Sequence, residues 1–354
     1  MDFSIMFFAS QMQMDAMHKY RLIIEATKFA DQHGFCAVWT PERHFADFGG
    51  IFPNPSVISA GLATITQNIN IRAGSVVSPL HDSMRIAEEW AVVDNLSQGR
   101  VSISFAPGWN INDFIFFPER FEDRRNIMHQ QIVEIQDLWQ GKSITRTNSE
   151  GVALDVLLYP RPIQSKLPIW LTSASASADT FVFAGSIGAN ILTHLVYQDI
   201  GNLVQKITAY REARAKHGYD PATGVVTLMV HTFLGANDEA VKEIVRPSLR
   251  EYLRSSVSLT TGTTTIGHQA ESQELGARLV EELLDMAFER YYNGLSLLGT
   301  PEICVQRVRK LEEIGVNEVA CLIDFGVGID QTLEGLYYLN DLRQRTLPQG
   351  ERLY

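Results

Sequence analysis

Two kinds of apolar pattern alternate along the chain. Short runs rich in branched and aromatic residues recur, and between them apolar residues fall at three- and four-residue spacing. The first kind reads as buried strand and the second as amphipathic helix. The strand-like runs are Phe3 to Phe8, Ala37 to Thr40, Asn70 to Val77, Val101 to Phe105, Ile169 to Thr172, Asn190 to Leu195, Val225 to Leu234 and Glu318 to Asp324. A first helix is expected from about Asp15, with Leu22, Ala26 and Phe29 on one face and Gly34 as terminator. Helices also read at Pro55 to Ile65 and after a cap at Asp82 or Ser83, with Ile86, Trp90 and Val93 on one face. Others end near Trp139, cover Asp179 to Ile187 and Asp199 to Lys216, start about Asp238, and cover Pro301 to Ile314, where Cys304, Val308 and Leu311 align. Residues 143–160 read as an irregular or hairpin insertion.

Eight strands, nearly all separated by helices, require parallel pairing, because parallel neighbours need a crossover. Eight such units predict an α/β protein built as a single (β/α)8 TIM barrel over 1–354. A doubly wound sheet lacks its usual support, since no GxGxxG follows the first strand. Residues 235–317 separate the last two strands, far more than a crossover needs. Within them, 245–300 read as a helical and loop insertion. Its Thr- and Gly-rich stretch at 258–268 is either a surface loop or part of a lid over the barrel mouth.

Composition acts mostly by exclusion. The 354 residues include 45% hydrophobic and 20% charged, which excludes a disordered or fibrous chain. The 41 acidic residues against 30 basic leave a formal charge of −11, unsuited to nucleic acid or an anionic membrane as main partner. No apolar run approaches the roughly 18 residues of a membrane span. The N-terminal MDFSIMFF carries Asp2 where a signal peptide would be basic. Cys36, Cys304 and Cys321 are far apart, without disulfide or metal spacing. A reduced, cytoplasmic protein without a metal is expected.

In a barrel the functional groups follow the strands. After the second comes Thr40-Pro41-Glu42-Arg43-His44-Phe45, whose ionisable residues can orient a ring, donate hydrogen bonds and move protons, or simply pair with one another. Ser78-Pro79-Leu80-His81-Asp82, after the third, either adds to the mouth chemistry or serves only as helix capping. After the fourth, in Ala106-Pro107-Gly108-Trp109-Asn110, Gly108 lets backbone approach a ligand, and Trp109 offers a flat face or packs in the core. After the fifth, Thr172-Ser173-Ala174-Ser175-Ala176-Ser177-Ala178-Asp179-Thr180 puts hydroxyls at a helix N-terminus, an arrangement that seats a phosphate. Arg125 either supplies charge to that seat or is a surface residue. His194, His231, Thr232 and Asp324, toward the ends of the last three strands, are either mouth groups or satisfied structural residues. No HExxH, nucleophile elbow or cysteine–histidine metal spacing occurs.

Several of these segments belong together. Trp39-Thr40-Pro41-Glu42-Arg43-His44-Phe45, Arg72 to Val77, Ala87-Glu88-Glu89-Trp90, Leu96 to Arg100, Gly108-Trp109-Asn110, Leu228 to Phe233 and Ala320 to Gly326 resemble the bacterial-luciferase-like flavin monooxygenases. The likeness is greatest to their natural-product branch, associated with nonribosomal peptide and polyketide assembly. It implies a (β/α)8 barrel, usually a homodimer, that takes FMN as FMNH2 from a separate flavin reductase. With O2 as co-substrate it would insert one oxygen, by hydroxylation or Baeyer–Villiger chemistry, into a small-molecule or carrier-protein-tethered intermediate. The resemblance places the FMN phosphate after the fifth strand, on Thr172, Ser173, Ser175, Ser177 and Thr180, with Arg125. Backbone at Ala106, Pro107 and Gly108 would flank the isoalloxazine. Ser75 falls where relatives carry a cis peptide, and His194 where luciferases place an aromatic beside the ring. Luciferases have two adjacent histidines after the second strand, but here the pair reads Arg43-His44. His44 is therefore the candidate for proton transfer or for stabilising the flavin adduct, with Glu42 and Arg43 as ring or substrate contacts. An F420-dependent oxidoreductase and a non-catalytic flavin-binding subunit are the competing functions.

Overall fold

Strand and helix alternate as the apolar spacing requires, and the sheet closes on itself. The computed structural model describes residues 1–8, 20–46, 50–175, 177–195, 199–261 and 270–347. Its barrel strands are β1 (Asp2–Met6), β2 (Ala37–Thr40), β3 (Asn70–Val77), β4 (Val101–Ala106), β5 (Ile169–Ser173), β6 (Asn190–His194), β7 (Val226–Leu234) and β8 (Glu318–Leu322). Each pairs in parallel with the next, and β8 returns to β1 in register from Asp2 opposite Glu318 to Met6 opposite Leu322. The result is a (β/α)8 barrel, as expected.

The surrounding helices are α1 (Arg21–Gln32), α2 (Pro55–Ala63), α3 (Ser83–Ser97), α4 (Arg124–Trp139), α5 (Asp179–Ser186), α6 (Ile200–Lys216), α7 (Asp238–Thr261), α8 (Ala270–Asn293), α9 (Pro301–Glu313) and α10 (Ile329–Thr346). Their starts follow the polar signals in the sequence. Asn54 caps α2 by accepting from the Ser56 and Val57 amides, and Asp82 caps α3 through the Met84 amide. The expected start of α1 at Asp15 lies outside the described residues. No helix among the described residues is long and apolar enough to cross a membrane.

Two elements sharpen or add to the sequence reading. The 143–160 insertion is an antiparallel hairpin, Ile144–Thr147 against Ala153–Val156. A short strand, Leu297–Gly299, pairs in parallel with the far end of β7 and was not expected, because three residues ending in glycine show no periodicity. The insertion after β7 is α7 against α8, whereas 262–268 of the Thr- and Gly-rich stretch lie outside the described residues.

The apolar faces of α7 and α8 (Val245, Leu249, Leu284, Phe288) join one buried cluster with Met6, Trp39, Trp170 and Met229 of the barrel interior. Along their other edge runs a ladder of ion pairs. Lys242 and Arg246 both meet Glu289 at 2.8 Å, Arg246 and Arg250 meet Asp285 at 3.4 and 3.5 Å, and Arg250 and Arg254 meet Glu281 at 2.5 and 2.8 Å.

The barrel interior holds a charged pair. Arg72 on β3 donates to Glu318 on β8 at 2.7 Å, with its guanidinium 4.9 Å from the Trp39 ring and 4.4 Å from the Trp170 ring. Those indoles meet edge to face at 5.6 Å. The Ser4 hydroxyl and the Trp39 indole N–H also donate to Glu318, at 2.6 and 3.2 Å. Burial works against the charge on Arg72, but Glu318 holds its pKa above the ordinary value. Removing one member of such a buried pair strands the other, whereas removing both avoids that cost. Arg72→Met should therefore destabilise the protein by about 3–5 kcal/mol in urea unfolding, and Arg72→Met with Glu318→Gln by distinctly less.

Candidate active site

β2 ends at Thr40, and Pro41 turns the chain across the C-terminal end of the barrel. There the Arg43 amide bonds to the Phe52 carbonyl at 2.8 Å, and Glu42, Arg43 and His44 are all buried. Both Glu42 oxygens are engaged. Oε1 accepts from His44 Nε2 at 2.8 Å and His81 Nε2 at 2.6 Å, and Oε2 accepts from the Val77 amide at 2.8 Å. Burial alone would raise the Glu42 pKa, but the donors from His44, His81 and Val77 outweigh it and hold the pKa below its ordinary value. For His81, burial is the largest influence and lowers the pKa, yet the bond to Glu42 leaves it raised.

His81 is a functional candidate that the sequence reading missed. Its segment has capping as a sufficient local reading, and Asp82 does cap α3, but the single 3₁₀ turn Ser78–Leu80 carries His81 back onto Glu42. The available signal was position: an ionisable residue just past a barrel strand, the same rule that singles out His44.

Arg43 lies with its guanidinium 5.6 Å from the Phe8 ring and 5.1 Å from Trp109. Burial lowers its pKa, opposed by Asp113 and Tyr252. Trp109 is 47% exposed, so its face belongs to the mouth rather than the core. Gly108 has φ +83°, and a Cβ there would sit 2.8 Å from Phe114 Cε2, so local packing alone requires glycine. Arg124 Nε donates to the Gly108 carbonyl at 3.0 Å and steadies the Ala106-Pro107-Gly108 turn.

Across the mouth, the Gly74–Ser75 peptide is cis. The Ser75 hydroxyl is 2.5 Å from that of Thr172, which is 2.6 Å from that of Ser104, so hydroxyls link β3, β4 and β5. At the end of β5, the Ser173 hydroxyl is buried and has no hydrogen-bond partner among the described residues. Ser175 and Ser177 are exposed, and Ser177 Oγ accepts from the Asp179 amide at 3.2 Å. Thr180 follows in the first turn of α5. Arg125 is exposed in the first turn of α4, which is held beside α5 by His129 stacked on Phe183 at 3.7 Å.

The histidines on the far side of the mouth are held differently. His194 ends β6, and burial, then the Lys206 charge, push its pKa down to about 4. His231 on β7 is pushed down to about 3 by burial and then by His194. It is surrounded by Tyr252, Tyr291 and Phe325 rings at 4.5, 5.5 and 5.5 Å. Both imidazoles are neutral at pH 7.

A closed parallel barrel with ionisable, aromatic and hydroxyl groups gathered where its strands end has the layout of a barrel enzyme. The model of the luciferase-like monooxygenase family matches residues 1–318, and the chain belongs to that family. The oxygenase component of a flavin-dependent trigonelline monooxygenase from Acinetobacter baylyi is 25% identical over 333 residues, 88% of this chain and 85% of that one. Among solved structures, the monooxygenase RslO1 of Streptomyces bottropensis superposes with TM-score 0.81 at 17% identity, over 96% of this chain and 98% of that one. The oxygenating constituent of 3,6-diketocamphane monooxygenase from Pseudomonas putida, solved with FMN, gives 0.75 at 14% identity, over 98% and 99%.

The Glu42–His81 pair has a pH signature. A raised His81 pKa stabilises below the unfolded value of 6.5 and is lost as pH rises through the folded value. A lowered Glu42 pKa stabilises above 4.5 and is lost as pH falls through the folded value. The stability difference between wild type and Glu42→Gln should thus be widest between pH 4.5 and 6.5, narrowing on both sides in denaturant unfolding across the pH range.

Proposed function

We propose that this protein is the oxygenase of a two-component flavin-dependent monooxygenase. It would use FMNH2 from a separate reductase, and O2, to insert one oxygen into a biosynthetic intermediate, free or tethered to a carrier protein. The observation that carries the reading is the hydroxyl-lined loop after β5, with the buried Ser173 hydroxyl, the start of α5 and the adjacent Arg125. These groups fit a phosphate, since helix N-terminal amides and hydroxyls donate and the guanidinium supplies opposite charge. The trigonelline relative is named as an oxygenase component, which supports a separate reductase. We assign the phosphate contacts to Thr172, Ser173, Ser175, Ser177, Thr180 and Arg125. Ser75, His194 and the Ala106-Pro107-Gly108 backbone are assigned to the ring, in a cytoplasmic homodimer of single-domain chains with 245–300 as lid.

When bound, reduced FMN supplies the electrons that activate O2. The protein's own part is proton control and exclusion of water. Glu42, kept ionised, accepts the His44 Nε2 proton and fixes the tautomer that leaves Nδ1 as acceptor. His44 then takes and returns a proton at Nδ1, beside the Phe116 ring at 5.2 Å. His81, on the same carboxylate oxygen, shares its charge and holds Glu42 in place. Arg43, clasped by Phe8 and Trp109, orients the substrate.

The test mixes the protein anaerobically with FMNH2, admits O2 and follows flavin absorbance. Reoxidation slower than that of free FMNH2 is expected, and a rate equal to that in buffer would remove the reading. With substrate in hand, His44→Ala should retain FMN binding and lose product by about 10²–10⁴-fold, the range for a lost acid–base group. Unchanged turnover would take His44 out of the mechanism.

A further inference from the structure

Lys206 is only 1% exposed, although it lies on α6, outside the barrel. It stands about one and a half turns below the start of that helix. Helical side chains lean toward their helix N-terminus, so a lysine here reaches up to the rim where the strands end. Its ammonium donates to the Ser175 carbonyl oxygen and lies 5.5 Å from the centre of the Phe181 ring, in the first turn of α5. Its charge also acts on His194 at the end of β6. The loop after β5, the start of α5 and the end of β6 therefore meet around one buried cation. Close packing of α5 on α6 makes this possible: a Cβ at Gly185 would sit 2.6 Å from the Tyr210 carbonyl oxygen, so only glycine admits the approach.

A methionine would fill the same space without the penalty of desolvating an ammonium, so filling does not account for the charge. The loop propped by Lys206 presents hydroxyls and leads into the N-terminus of α5, and both attract an anion. Arg125 is exposed, so solvent and salt weaken its field, whereas a buried charge is screened far less.

We propose that Lys206 is the internal cation of the phosphate seat and makes it select a flavin with a terminal phosphate over one without. The inference rests on the FMN reading above. Its test titrates the full chain with oxidised FMN and with riboflavin, which carries the same ring and no phosphate, following flavin fluorescence. Lys206→Met should weaken FMN by about 10- to 100-fold, the value of a charge-assisted contact, while riboflavin changes by less than about twofold. Unchanged FMN affinity, or equal weakening of both ligands, would overturn it. Wild-type protein that binds neither flavin would remove the cofactor reading itself and this inference with it.

A second measurement needs no variant and so does not depend on Lys206→Met folding. Inorganic phosphate in the seat should offset the Lys206 charge and raise the titration midpoint of His194, read by NMR on labelled histidine, where riboflavin should not. A midpoint indifferent to saturating phosphate would overturn the inference as well.

Discussion

The ion pair of Arg72 with Glu318 sets the terms for the rest of the molecule. A buried guanidinium and carboxylate are tolerable only when their remaining hydrogen-bonding sites and faces are occupied. Here Ser4 of β1 and Trp39 of β2 donate to Glu318 and Trp170 of β5 covers the guanidinium face, around a bond between β3 and β8, so these residues must hold fixed positions. Of the pair's buried side-chain atoms, only Arg72 Nε is left without a partner among the described residues. A one-residue slip of any of these strands would turn its interior side chain outward. Because the eight barrel strands close on themselves, a register fixed at these strands constrains the others. The groups at the strand ends inherit their spacing from this pair below them.

On that frame the mouth divides into two electrostatic halves. Around β2 and β3, Glu42 keeps a charge in a dry place by gathering two imidazoles and an amide. Around β6 and β7, His194 and His231 are held neutral by burial and by positive charge nearby. The same residue type is thus protonatable on one side and inert on the other, and only its neighbours decide which. The hydroxyl chain of Ser75, Thr172 and Ser104 runs between the halves.

The barrel was legible because each strand is a short branched or aromatic run bounded by turn residues, and each helix has its own local period. The residues after the strands were legible by position, which brought Glu42, Arg43 and His44 to notice. What could not be read was pairing across distance. Nothing local marks Arg72 and Glu318 as partners, or sends Lys206 of α6 to the loop after β5. His81 was hidden differently, because a capping segment with Asp82 already had a sufficient local explanation. Trp109 could have been core or mouth, since an isolated tryptophan carries no sign of which way it faces.

The charge ladder between α7 and α8 has a property that its sign pattern dictates. All the cations, from Lys242 to Arg254, stand on α7, and all the anions they meet across the seam, Glu281, Asp285 and Glu289, stand on α8. Ladders of mixed sign on each helix lock a single alignment, because any shift brings like charges together. This one behaves as a rack: sliding α8 toward the Arg254 end of α7 by the four-residue repeat, about 6 Å, re-forms every rung but the last. Alignment is left to the apolar side, where Leu249 and Phe288 pack, and whatever loosens that packing leaves the two helices electrostatically free to ratchet.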